Sequence, residues 1–415
     1  MFIYSVIIPI FPFSLVTRLN VAEDQVQHWV SVLLSVYGAA LLTGAPIFGF
    51  FADKMKHRRS SLLIGLVALI GATFLLCLAP TLPVLIIGRL LQGFSASVTW
   101  VVGLTLLADT ANKETVAQSF GYVSAASSLG TIIGPVLGGI MYERVGYYPV
   151  FGLCFAFLGV DIFLRFIIIE KKSAARWLES PLTSFQLQSP RESPLTEIPA
   201  PAISRPESKT LPAIFTLWKS KRMLAAFWGD FVTATVMTSF DTTLTMFVKK
   251  TFHWSSLPAG LTFLALLLPT FLGPVLGMAA DKYGARWISA IGILIMIPPL
   301  ILLRLVDHES LNQIVLLCAL LILIGLGAAM ALTGLYAEYS KICDDIDAES
   351  PGSLGNNGGY AQSYGISEIA WALAGLIGPL MSGAIYEDYG WGTLGWVLSA
   401  FCFVTVIPTI LFIKH

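Results

Sequence analysis

Two aspartates and a glutamate occupy positions that an apolar chain would ordinarily leave to leucine. Asp230 and Asp241 lie in the run 222–248, and Glu368 lies in the run 360–385. Eleven residues at about 100° each return Asp241 to nearly the helix face of Asp230, about 16 Å further along. Two carboxylates on one stripe suit a water-filled path. Asp241, set between Phe240 and the pair Thr242-Thr243, is the deeper candidate for holding a cation. Asp230 is expected to do no more than solvate an entrance. In the later run, Tyr360, Tyr364, Glu368, Trp371 and Gly375 share the spacing of one helix face. An acid flanked by rings favours a cationic organic ligand, through cation–π attraction around a counter-charge. Competition between a proton and such a cation for Glu368 or Asp241 would suffice to exchange one for the other.

Charge within a span costs about 2.5 to 3.5 kcal/mol even on insertion scales, so each remaining case needs a reason. Arg89 sits eight residues into the run 82–108 and leaves two readings open. It is either a cation that tunes a nearby carboxylate or a brace hydrogen-bonded to backbone carbonyls. Asp161 and Arg165, spaced i,i+4, are expected to neutralise each other. Glu338 marks the end of an apolar run and is ambiguous, and the acidic stretch Asp344, Asp345, Asp347 and Glu349 reads as a solvated loop. No catalytic or metal-ligating constellation and no cofactor site is indicated. His28, His57, His253, His308 and His415 all fall in loops or at the terminus, and the five cysteines lack CxxC spacing. No GxxxxGK[ST] phosphate loop is present, which disfavours nucleotide-driven chemistry.

Apolar helices must position these groups. Hydrophobic residues make up 56% of the 415 and charged residues 12%, the composition of a chain that lives in a lipid bilayer. Lipid offers the backbone no hydrogen bonds, so each crossing needs about 20 apolar residues in a helix. Twelve such runs are predicted near 2–17, 29–52, 60–79, 82–108, 118–141, 148–169, 222–248, 256–280, 287–304, 312–337, 360–385 and 391–412. The Ser/Pro-rich stretch 171–221 has no apolar period and reads as a disordered cytoplasmic linker. It separates an N-terminal six-span bundle, 1–170, from a C-terminal one, 222–415. The net charge is zero and no polybasic segment stands apart, so nucleic acid is not an expected partner. With both termini placed on the cytoplasmic side, eighteen Lys/Arg fall in inner segments and five in outer loops, as the positive-inside rule requires.

The basic cluster has an echo. GAPIFGFFADKMKHRRS (44–60) returns as LGPVLGMAADKYGARWIS (272–289), and His28-Trp29 is paired with His253-Trp254 upstream. GTIIGPVLGGIMYERVGY (130–147) returns as AGLIGPLMSGAIYEDYGW (374–391), with Gly146 over Gly390. Two related halves predict bundles that rock about a shared central site.

The loop pattern GxxxDKxxxRR (Gly49, Asp53, Lys54, Arg58, Arg59) and its partial copy (Gly277, Asp281, Lys282, Arg286) resemble the signature of the major facilitator superfamily. Lys56 stands where that pattern usually has Gly, and Gly284 keeps it. Gly130, Gly134, Pro135, Gly138 and Gly139 resemble its proton-coupled antiporter motif, and GRLLQGFSAS around Arg89 resembles its arginine motif. The detail looks most like the twelve-span drug:proton antiporters, especially fungal relatives of vesicular amine transporters. The resemblance implies an all-α fold of two six-helix bundles and a gate in which Asp53 faces span 11 while Arg58 or Arg59 reaches Asp109. It also implies an acid in span 1 just upstream of FIYSVIIPIFP, where this chain begins at Met1. Either the start is misassigned, or the first helix is truncated and lacks a coupling carboxylate.

The expected function is secondary transport by alternating access, a proton entering as a small cationic or amphipathic organic molecule is exported, as in drug efflux and multidrug resistance. A facilitator or symporter of sugars or organic acids is the alternative, as is a truncated, transport-inactive chain. A membrane enzyme is not expected. The partners implied are an organic substrate, protons and the lipid bilayer, with the chain a monomer. The plasma membrane is the first choice and a vacuolar or vesicular membrane the second.

Overall fold

The computed structural model describes residues 1–54, 58–110, 116–167, 213–350, 353–354 and 359–413. Among them there is no strand. The helices are α1 (Phe2–Ser5), α2 (Phe11–Leu19), α3 (Val26–Lys54), α4 (Arg58–Leu78), α5 (Leu82–Thr110), α6 (Val116–Val145) and α7 (Tyr147–Ile167). They continue with α8 (Ala213–Trp218), α9 (Lys221–Phe252), α10 (Ser256–Leu267), α11 (Gly273–Tyr283), α12 (Ala285–Leu302), α13 (Leu311–Glu349) and α14 (Tyr360–Phe412). Ten stretches are long and apolar enough to cross a membrane. The last, Gln362–Phe412, is broken at Gly390 (φ 80°) into two crossings, and α1 with α2 fills the place of the first expected span. The described helices therefore supply eleven of the twelve crossings read from the sequence, with the short helices α1 and α2 at the place of the other.

Positive φ marks the echoed corners. Gly146 (φ 94°) separates α6 from α7 as Gly390 separates the two arms of α14, and this backbone region suits a residue without Cβ. The earlier echo needs correction. His253 caps α9 with φ 52°, and its counterpart is Asn20, which caps α2 with φ 52°; His28-Trp29 lies inside α3. The C-terminal part of the expected linker is also different. Residues 213–218 form α8, whose Leu217 is buried against Met223 and Ile413, while 171–212 lie outside the described residues.

α3 packs on α5 and α4 on α5 and α7 in the first half, while α9 and α12 pack on α14 in the second. The halves meet where α3 crosses α14 and where α6 crosses α10. Glycine makes both crossings close, as expected where lipid supplies no hydrophobic drive and helices associate by intimate packing. Gly38 rests on the backbone of Gly375, and Gly139 accepts a 3.2 Å hydrogen bond from Ser256 Oγ. Further links join the halves at the same end: Glu143 Oε2 accepts from the Leu257 amide at the start of α10 (2.9 Å), and Lys249 pairs with Glu23 (3.4 Å). A carboxylate at a helix N-terminus complements its unpaired amides and dipole.

Candidate functional site

Asp230 is fully buried, not an entrance group. Its Oδ2 accepts hydrogen bonds from Ser367 Oγ (2.5 Å) on α14 and Tyr339 Oη (3.4 Å) on α13, while Oδ1 has no partner. Glu368 follows Ser367 on α14 and is only partly buried, and among the described residues its carboxylate receives no hydrogen bond. Rings enclose the pair. Tyr336, Tyr339 and Tyr364 form a triangle with each pair of centroids 6.5 Å apart, and Trp371 Nε1 donates to Tyr336 Oη (3.1 Å). Tyr364 is steadied by Ser340 (2.9 Å), whereas Tyr360 hydrogen-bonds Asp344 and stands apart from the cluster. α9, α13 and α14 of the second half build this cage, and the Met1 amine and Tyr37 of the first half lie within electrostatic reach of Glu368.

Asp241 belongs to a different environment. Tyr4 Oη, from α1 in the other half, donates to its Oδ2 (3.1 Å). Behind Tyr4 lies Arg89, completely buried on α5 with its guanidinium 5.5 Å from the Tyr4 ring, 5.2 Å from Tyr37 and 5.0 Å from Phe11. Both readings of Arg89 find an observation. Nε donates to the Leu33 carbonyl (3.3 Å) and Nη1 to Gln92 Oε1 (2.6 Å), which is the brace. Nη2 is left unpartnered, and the cation stands one tyrosine away from Asp241.

The sequence reading missed Tyr336, Tyr339, Ser367 and Tyr4. The first two flank Glu338 in LYAEYS, and this adjacency was the available signal. Glu338 itself turns away, fully buried and paired with Arg222 (2.7 Å), which also binds Asp345. The acidic stretch 344–349 is therefore not a loop: α13 runs on to Glu349, with neither Gly nor Pro between Leu335 and Ser350 to stop it. Asp161 and Arg165 pair at 3.0 Å as expected.

The motif glycines line a contact surface. Gly134 packs on Ser5, Gly138 on the Val6 backbone and Gly130 beside Phe2, while Gly139 and the Pro135 carbonyl face α10 at Ser256 and Gly260. In the gating set, Asp53 and Lys54 end α3, Arg58 and Arg59 begin α4, and Asp109 lies near the end of α5. The side chains of Asp53, Lys54, Arg58, Arg59 and Asp109, and the setting of Gly49, lie outside what is described, so the expected gate contacts do too. In the second copy, Gly277 and Asp281 lie on α11. Lys282 Nζ sits 5.3 Å from the Tyr283 ring centroid and Arg286 Cζ 5.4 Å from that of Trp287.

Known proteins share this architecture. The chain is 36% identical over 406 residues to the uncharacterized MFS-type transporter C18.02 of Schizosaccharomyces pombe, across 97% of this chain and 90% of the relative. It is 25% identical to the class B tetracycline resistance protein of Escherichia coli (97% and 90% covered). It is 24% identical to the vesicular acetylcholine transporter of Tetronarce californica (95% and 68% covered). The crystal structure of the human organic anion transporter MFSD10 superposes with a TM-score of 0.64 at 18% identity, covering 98% of this chain and 95% of that one. The family model for the Major Facilitator Superfamily matches residues 1–272 and 227–415. With its apolar spanning helices, echoed corners and two halves meeting around buried charge, the chain belongs to the Major Facilitator Superfamily of multi-pass membrane transporters.

Proposed function

We propose that this transporter is a proton-coupled antiporter that exports small cationic or amphipathic organic molecules. The observation that carries it is the cluster of Glu368 and Asp230 within the rings of Tyr336, Tyr339, Tyr364 and Trp371. Negative charge among π faces attracts an organic cation by about 2 kcal/mol or more per desolvated ring contact. Asp241 is the poorer cation site, because the Arg89 guanidinium already stands behind its tyrosine partner. The names of two relatives, a tetracycline resistance protein and a vesicular acetylcholine transporter, fit this class of cargo. The chain is no enzyme on this reading. It works as a monomer of two six-span bundles, 1–170 and 222–415, joined through 171–221, with both termini cytoplasmic and the plasma membrane as its site.

A second reading rests on Arg89. A buried guanidinium with one free nitrogen suits a carboxylate cargo.

The test is uptake of a fluorescent organic cation into proteoliposomes under an imposed pH gradient. Gradient-driven uptake that Glu368→Gln abolishes supports cation antiport. Uptake of a fluorescent organic anion that needs Arg89 and tolerates Glu368→Gln moves the assignment to the second reading.

A further inference from the structure

We propose that Tyr4 is a positioning residue that latches the two halves through Asp241, and that a proton on Asp241 releases the latch. The proposal deepens the antiport reading and rests on it for direction, but its geometry stands alone. Tyr4 on α1 and Asp241 on α9 lie 237 residues apart, and their hydrogen bond joins two side chains of opposite halves near the middle of the molecule. Beside it Gln27 Nε2 of α3, which does not titrate, donates to the Thr242 carbonyl (3.4 Å), and further cross-half contacts at Ser256, Leu257 and Lys249 cluster near the α9–α10 corner.

A phenol donating to an ionised carboxylate makes a charge-assisted bond, roughly twice as strong as one to a neutral acid. A proton from the solvent placed on Asp241 turns the acceptor into a neutral carboxyl, with no other bond made or broken. The link then weakens by that difference. Tyr4 also stands between the two charges, since Arg89 lies 5.5 Å from its ring and, among the described residues, forms no ion pair with Asp241. Losing the proton therefore restores an anion facing a cation through a single ring, and the halves are drawn together.

The groups that face Asp241 can be named. They are Tyr4 from α1 and Arg89 from α5, with Tyr37 of α3 against the Tyr4 ring at 4.8 Å. α13 and α14, which also pack on α9, bring Tyr336, Tyr339 and Glu368 to the Asp230 side, where Glu368 also faces Tyr37 and the Met1 amine. α10 carries no ionisable side chain.

The experiment uses the full chain in nanodiscs with spin labels at Ile47 and Val275, exposed and equivalent positions of the two halves, in a Cys318→Ala background. Inter-label distances are measured from about pH 8 to about pH 4, a range that reaches the ordinary aspartate pKa of about 4. The proposal expects a distance distribution that shifts with pH in the parent. Tyr4→Phe, which keeps the ring over Arg89, and Asp241→Asn should each give one pH-independent distribution, and the double variant should match the singles. A Tyr4→Phe chain that keeps the parental pH response overturns the latch, as does a parent with no pH response. In uptake assays, Tyr4→Phe should lose gradient-driven transport about tenfold while cation exchange without a gradient stays within about threefold, as a contact worth one charge-assisted bond predicts. Equal loss of both would make Tyr4 merely structural and also overturns the proposal. If the parent shows the pH-dependent distances but moves no organic cation, the latch stands and the substrate reading fails.

Discussion

Asp230 and Asp241 are the same residue on the same helix, eleven positions apart, yet they sit in opposite kinds of site. Asp230 is sealed inside one half, held by Ser367 and Tyr339 with rings around it. Asp241 is partly exposed between the halves, held by Tyr4 with a cation behind. On the antiport reading the halves rock, so the enclosed acid would move with its bundle and keep its partners. The bridging acid would have to lose or remake its partner. A carboxylate fixed within a rigid body is suited to holding cargo, and one shared between two bodies is suited to sensing their separation.

The sharpest way to break this contrast is to neutralise each acid and read cargo affinity. Asp230→Asn is expected to weaken binding of an organic cation about 10- to 100-fold, the worth of a charged hydrogen-bonding partner in a buried site, measured by fluorescence titration. Asp241→Asn should leave that affinity within about threefold. Equal losses would merge the two sites into one.

A stability measurement tests whether the second-half cage depends on its neighbour. Arg222→Gln strands Glu338, which is completely buried and next in sequence to Tyr339. Breaking one side of a buried pair costs about 3 kcal/mol or more, so thermal unfolding in detergent should begin several degrees lower. Adding Glu338→Gln should recover most of the loss. Cation affinity that survives the single change would show that the cage does not lean on this pair.

The smallest effect is a control on location. Asp161, 41% exposed, pairs with Arg165 on α7 and, among the described residues, shares no hydrogen bond with either site, although the Met1 amine near it also faces Glu368. Asp161→Asn should alter stability by about 0.5 kcal/mol or less and leave transport unchanged in the same uptake assay. A transport defect there would mean that charge anywhere in the bundle matters, which would dissolve the contrast between Asp230 and Asp241.

Much of the fold was legible because lipid imposes a simple rule. Runs such as 60–79 and 287–304 were read within a few residues of α4 and α12. The echo of Gly146 and Gly390 was visible because a positive φ admits few residue types. The solvated-loop reading of 344–349 failed because acidity speaks of exposure, whereas a helix end is decided by caps and breakers, and none stood before Ser350. The role of Glu338 was missed by one position. Neighbours on a helix point about 100° apart, so Tyr339 entered the cage while Glu338 met Arg222.

The sequence by itself determined that the chain crosses a bilayer many times in apolar helices, that its halves echo each other, and which helices carry charge at depth. These follow from period, length and the cost of burying charge, all local along the chain. Only the tertiary structure decided which acid is enclosed and which bridges. The period of a helix says which residues share a face, but what that face meets is set by helices more than a hundred residues distant: Tyr339 and Ser367 for Asp230, and Tyr4 for Asp241.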